Sequence, residues 1–143
     1  MSPDVESDIR RIYERWHETV RDGDYEGCLA LYSDDAILET PLAMSALDGK
    51  VDGILRGKAK IRTFFAAGGR KLQANLPRLY RTGVFFTNGK QLTWEYPRST
   101  PAGNQIDLVE MMDIEGGLIV NHRVYWGWFG VNMLLGAGKR PSG

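Results

Sequence analysis

Thiol and imidazole groups are scarce in this 143-residue chain. The one cysteine, Cys28, cannot form an intramolecular disulfide, and a zinc cluster built on thiolates is excluded with it. The two histidines, His17 and His122, lie far from each other and from Cys28, so no metal site is expected. No apolar run approaches the length needed to span a bilayer. The opening MSPDVESDIRRIYERW has no apolar core behind a basic end, unlike a secretory signal. A soluble, cytoplasmic protein with no membrane partner is the expectation. Phosphate loop, dinucleotide glycine fingerprint and nucleophile elbow are all missing, so no cofactor is expected. Linkers, repeats and low-complexity stretches are also lacking, and the length suits one domain spanning residues 1–143.

Acidic residues are missing from one long stretch. Residues 1–52 hold 13 acids and 5 bases, residues 53–94 hold 9 bases and no acid, and the remainder is nearly balanced. A basic middle can attract nucleic acid. Here Arg56, Lys58, Lys60 and Arg62 are spaced so as to scatter around a helix, and the acidic and basic segments can neutralise one another. No nucleic-acid partner is expected.

The periodicity predicts helices first and an antiparallel sheet after. Val5, Ile9, Ile12, Tyr13, Trp16 and Val20 form one apolar stripe over residues 3–22, ended by Asp22-Gly23-Asp24. Asp24 can cap a second short helix with stripe Tyr25, Cys28, Leu29 and Tyr32. A short strand follows at 35–40, an irregular loop at 42–56, and a third helix at 58–67. The period then becomes two. Segments 78–87 and 90–98 flank Asn88-Gly89, and segments 105–115 and 118–128 flank Gly116-Gly117; both read as hairpins. The class is α+β: a curved antiparallel sheet wrapped around three N-terminal helices, with a concave interior suited to a small-molecule pocket.

Alternate strand residues share a face. The apolar set Leu118, Val120, His122, Val124, Trp126 and Trp128 is expected inward, with His122 its polar exception. On the neighbouring strand the inward set is Ile106, Leu108, Glu110, Met112 and Ile114, with Glu110 the exception. Two adjacent strands thus each carry one ionisable group into an apolar interior, where carboxyl and imidazole can divide acid and base roles. The plain alternative is a pair that only stabilises the core. Tyr13, His17 and Tyr32 can reach the interior, but nothing in the pattern singles them out.

The runs GDYEGCLALYSDDAILETP (23–41), LRGKAKIRTFFAAG (55–68) and GLIVNHRVYWGWFG (117–130) together resemble the nuclear transport factor 2-like or SnoaL-like superfamily. That group of cone-shaped α+β barrels includes ketosteroid isomerases and limonene epoxide hydrolases, alongside pure binding modules. Against the isomerases, the resemblance puts the catalytic aspartate base at Thr40 and the oxyanion tyrosine at Trp16. Their protonated aspartic acid falls at Glu110 counting back from the last hairpin, or at Asp107 counting forward. Against the epoxide hydrolases, the water-activating aspartate falls at Val124. His122 falls on a pocket-lining position in both. The resemblance therefore implies the fold while replacing both familiar catalytic sets.

The resulting expectation is a cofactor-free acid/base enzyme, of isomerase, dehydratase or cyclase type, acting on a small apolar or cyclic molecule. Glu110 and His122 are its candidate catalytic residues, and Trp16, Thr40, Phe64, Trp94 and Trp126 its candidate pocket walls. The alternative is a non-catalytic ligand-binding or protein-interaction module of the same fold. A homodimer is expected through the outward sheet face carrying Val109, Met111, Arg123 and Tyr125.

Overall fold

The computed structural model describes residues 1–47, 52–69, 83–99 and 105–137, with the side chains of 68–69, 96–99, 105–107 and 137 set aside. The first helix, α1 (Pro3–Asp22), begins where the Ser2 hydroxyl accepts the Val5 N–H at 3.3 Å and Pro3 occupies the first turn. It ends at Gly23, whose φ of 74° allows its N–H to turn back on the Val20 carbonyl. Its stripe buries Ile9, Ile12, Tyr13 and Trp16, while Val5 stays at the surface. Each large apolar side chain so buried contributes roughly 1.5–3 kcal/mol.

Asp24 caps α2 (Tyr25–Leu29) by accepting the Gly27 N–H at 2.9 Å. The helix stops there, and β1 runs over Tyr32–Glu39, so Tyr32 belongs to a strand. The segment expected to be irregular contains two elements. Pro41 opens the short helix α3 (Leu42–Ala46), aided by the Thr40 hydroxyl accepting the Leu42 N–H, and β2 (Ile54–Arg56) pairs with β1. Helix α4 (Lys58–Phe64) continues as a π-helical turn over Phe65–Gly69. Its bases meet the acids of the N-terminal segment: Arg62 contacts Glu26 at 2.9 Å and Lys58 contacts Asp34 at 3.7 Å. Of the expected 78–87 strand, residues 83–87 are described, and only Phe86–Thr87 form a strand, β3.

Strands β4 (Gln91–Ser99), β5 (Gln105–Glu115) and β6 (Leu118–Trp126) complete a six-stranded curved sheet in the order β2-β1-β6-β5-β4-β3. Four pairings are antiparallel, and β1 joins β6 in parallel. Gly116 and Gly117, at φ 57° and 74°, form the two-residue turn between β5 and β6. Both turn residues need positive φ, which glycine alone adopts freely.

Two members of the expected inward set on β6 are corrected. The register slips between Asp113↔Asn121 and Ile114↔Ile119, leaving Val120 as an extra residue. This β-bulge exchanges faces below it, so Ile119 is buried and Leu118 exposed. Trp128 has left the strand altogether and opens a further helix, α5 (Trp128–Ala137), where it is 77% exposed. Of the other expected members, His122 is buried, as are Leu108, Glu110, Met112 and Ile114 on β5, while Val124 and Trp126 are half-buried and the side chain of Ile106 lies outside the described residues.

Candidate functional site

Strand register places Glu110 and His122 together. Glu110 lies opposite Val124 and Met112 opposite His122, so the two side chains sit diagonally on one face of adjacent strands. His122 Nε2 bonds the Glu110 carboxyl Oε2 directly. The other ring nitrogen, Nδ1, lies 2.8 Å from the Tyr32 hydroxyl. A long irregularity in β1, between Tyr32 and Ile37, sets Tyr32 beside Ile119, from where its phenol reaches His122. All three groups are within the core: Tyr32 is 1%, Glu110 2% and His122 3% exposed.

The chain of bonds has a direction. With the carboxyl ionised, it can only accept, so Nε2–H donates to Glu110 and Nδ1 accepts from the Tyr32 O–H. With the proton on Glu110, donation runs the other way, through the ring to the phenolic oxygen. Burial pushes the Tyr32 phenol well above its ordinary range; nearby Cys28 and Glu110 add to the shift and the Trp16 indole N–H opposes it. Tyr32 is therefore a hydroxyl, never a phenolate, at neutral pH.

Aromatic rings enclose this relay. Trp16 stands edge-on to His122 at 6.3 Å between centroids and to Trp94 at 5.1 Å. Trp94 is the cross-strand neighbour of Glu110 and also meets Tyr13 and His17, at 5.3 and 4.9 Å. His17 Nδ1–H donates to the Tyr13 carbonyl at 2.8 Å. Burial lowers its pKa, with that bond and the charge of Glu110 pulling the other way, so Glu110 is within electrostatic reach of His17.

The expected wall residues divide. Trp16 and Trp94 flank the relay. Phe64 packs on Phe65, whose ring lies 6.2 Å from Tyr32. Thr40 and Trp126 sit elsewhere, in an open groove of about 360 Å³ with Pro41, Met44, Val124 and Val131, and with Glu39 and Arg123 as its charged members. A second open groove, of about 300 Å³, runs along α1 past Tyr13, His17 and Phe85. Neither of these two grooves has Glu110 or His122 in its lining. The side chain of Asp107 lies outside the described residues. Among the described residues, no group of three His, Cys, Asp or Glu is arranged to hold a metal ion, and no helix is long and apolar enough to cross a membrane.

A family model described as the SnoaL-like domain matches residues 13–122, most of the chain and every member of the relay. The chain belongs to the SnoaL-like domain family. Solved structures agree on the fold of this SnoaL-like domain. TerC, crystallised with polyporic acid, is 19% identical, with 90% of this chain and 98% of that one covered, at a TM-score of 0.66. A nuclear transport factor 2-like protein from Burkholderia pseudomallei is 18% identical over 94% and 98%, also at 0.66. Another from Mesorhizobium loti is 18% identical over 89% and 97%, at 0.64. No curated protein matches.

Tyr32 is the residue of this SnoaL-like domain that sequence reasoning missed. It completes the three-and-four spacing of Tyr25, Cys28 and Leu29, and so reads as one more position of α2. Alternation offered no signal for it: Ala36 and Leu38 are buried on one parity of β1, but Asp34, between them and Tyr32, is exposed.

Proposed function

We propose that this SnoaL-like domain is a cofactor-free proton-transfer enzyme acting on a small apolar or cyclic compound, in an isomerase, dehydratase or cyclase type of reaction. Glu110, His122 and Tyr32 carry the proton. The observation behind this reading is three ionisable groups bonded in series inside an apolar core. Burying such groups is costly, and apolar residues of similar volume often give an equal or better core. Their presence is accounted for by use. When Glu110 holds the proton and Nδ1–H donates to the phenolic oxygen, the Tyr32 O–H is free to donate to a developing oxyanion; as that proton leaves, the Nδ1 proton passes to Tyr32 and the Glu110 proton to Nε2, so the three groups act as one acid. TerC, of the same fold, was crystallised with polyporic acid, which supports a small-molecule reading.

Steroid isomerisation by the ketosteroid isomerase route is not the proposed reaction. The resemblance puts that family's base at Thr40, which is buried and accepts the Leu42 N–H. A hydroxyl cannot shuttle a proton between two carbons without its own activating base. A second reading, a non-catalytic binding or interaction module, is favoured by the absence of Glu110 and His122 from the lining of both described grooves.

The test is incubation with a panel of apolar cyclic ketones and hydroxyketones in D₂O, read by proton NMR. Deuterium uptake next to a carbonyl, or a new product, is expected with the wild type and lost in folded His122→Phe and Glu110→Gln variants. Binding without exchange or turnover would select the binding module instead.

A further inference from the structure

Buried polar atoms are nearly always hydrogen-bonded, so a buried donor with no acceptor marks a place where a bound molecule can supply one. Trp94 is such a place. The residue is 1% exposed, and its indole N–H is buried and meets no acceptor among the described residues. The rings of Tyr13, Trp16 and His17 surround it, at 5.3, 5.1 and 4.9 Å between centroids. A ring face is a weak acceptor and does not replace an oxygen.

The position of Trp94 gives this N–H a use. Across the sheet the strands run β1-β6-β5-β4, and the inward side chains Tyr32, His122, Glu110 and Trp94 follow in that order. Trp94 lies directly opposite Glu110, where side chains on one face are close neighbours. The row therefore has an uncharged donor at each end, the Tyr32 hydroxyl and the Trp94 N–H, with the proton-carrying pair between them. Tyr13 and His17, which touch Trp94, also line the open groove along α1, so the Trp94 end of the row adjoins that groove.

We propose that Trp94 is a specificity-determining residue whose N–H binds a second oxygen of the substrate, remote from the oxygen that meets Tyr32. This rests on the reading of the relay as a proton-transfer site. It narrows the substrate class to uncharged ring compounds oxygenated at both ends: diones, quinones and hydroxyketones. The indole donates and cannot accept, so the second oxygen has only to offer a lone pair. A full anion fits less well, because an uncharged N–H among aromatic rings leaves its charge uncompensated.

Two probes of one skeleton test this: trans-decalin-2,6-dione, with a carbonyl at each end, and trans-2-decalone, which lacks the second. Affinities for the full chain are measured by titration calorimetry, and the indole signals of nitrogen-15-labelled protein are followed as the dione is added. The dione is expected to bind about three- to tenfold tighter than the monoketone, the usual net contribution of one hydrogen bond. In Trp94→Phe that advantage disappears, while affinity for the monoketone stays near the wild-type value. In the wild type the Trp94 signal, one of four indoles, moves downfield on saturation with the dione, a reading that stands even where the variant is unstable. Absent binding of the dione, equal affinity for the two probes, an advantage that survives Trp94→Phe, or a Trp94 signal unmoved by bound dione overturns the proposal. Failure of the proton-transfer reading looks different. A dione that binds through Trp94 without deuterium uptake supports the donor and fails the reaction, whereas uptake by both probes at equal affinity does the reverse.

Discussion

Replacing the members of the relay one at a time, and then together, separates a group of residues kept for use from one kept for stability. In Glu110→Leu, the His122 Nε2–H loses its acceptor in a place where water cannot replace it, since the ring is buried. An unsatisfied buried donor costs about 1–3 kcal/mol, and breaking a buried charged pair about 3–5 kcal/mol. A loss of about 3 kcal/mol is expected, since leucine has nearly the volume of glutamate and leaves little cavity. His122→Leu strands both the Glu110 carboxyl and the Tyr32 hydroxyl and is expected to cost about 3–5 kcal/mol. The triple variant Tyr32→Phe, Glu110→Leu, His122→Leu leaves no orphaned member of the chain, and its stability is expected within about 1 kcal/mol of wild type. Urea unfolding followed by tryptophan emission suits the measurement, because Trp16 and Trp94 flank the site. A triple variant as unstable as the sum of the single losses would refute the reasoning and make the trio a structural element.

Gly117→Ala is expected to lose about 1–3 kcal/mol, because φ of 74° is strained for alanine and the new Cβ would sit 3.2 Å from an Asp8 carboxyl oxygen; thermal melting reads this. His17, whose folded pKa is lowered by burial, is protonated more readily in the unfolded chain. Its contribution is complete above the ordinary histidine pKa near 6.5 and is lost as pH falls through the folded value. Denaturation midpoints should fall below about pH 6.5, by at most about 1.4 kcal/mol per pH unit for one proton, and His17→Gln should flatten the dependence. A Δ5-3-ketosteroid should not be turned over by the wild type or by Thr40→Asp, because Thr40 lines a groove that Glu110 and His122 do not enter; turnover of either in an ultraviolet enone assay would contradict that placement.

Sequence pattern carried the fold class, the two glycine turns and the inward parity of Glu110 and His122, because each depends on local spacing. What it missed depends on tertiary fit. The β-bulge at Val120 moves Ile119 into the core in place of Leu118, and alternation has no means of registering an extra residue. Val124, Trp126 and Trp128 continue a period of two and carry the expected strand to residue 128, whereas the chain turns at Gly127 and Trp128 opens α5; the remainder of that helix has no counterpart in the sequence reading. The relay was legible as two residues of three. Glu110 and His122 stand out as polar exceptions in apolar sets, whereas a buried tyrosine breaks no pattern, and its partner is 90 residues away in sequence.

The central claim is that Glu110, His122 and Tyr32 form one connected proton path. Nitrogen-15 histidine NMR of the wild-type protein at neutral pH tests it most directly. A strongly downfield His122 Nε2–H resonance and an Nδ1 shift typical of an accepting nitrogen are expected, with loss of the first in Glu110→Gln and movement of the second in Tyr32→Phe. A His122 ring whose shifts are unchanged by both substitutions would contradict it.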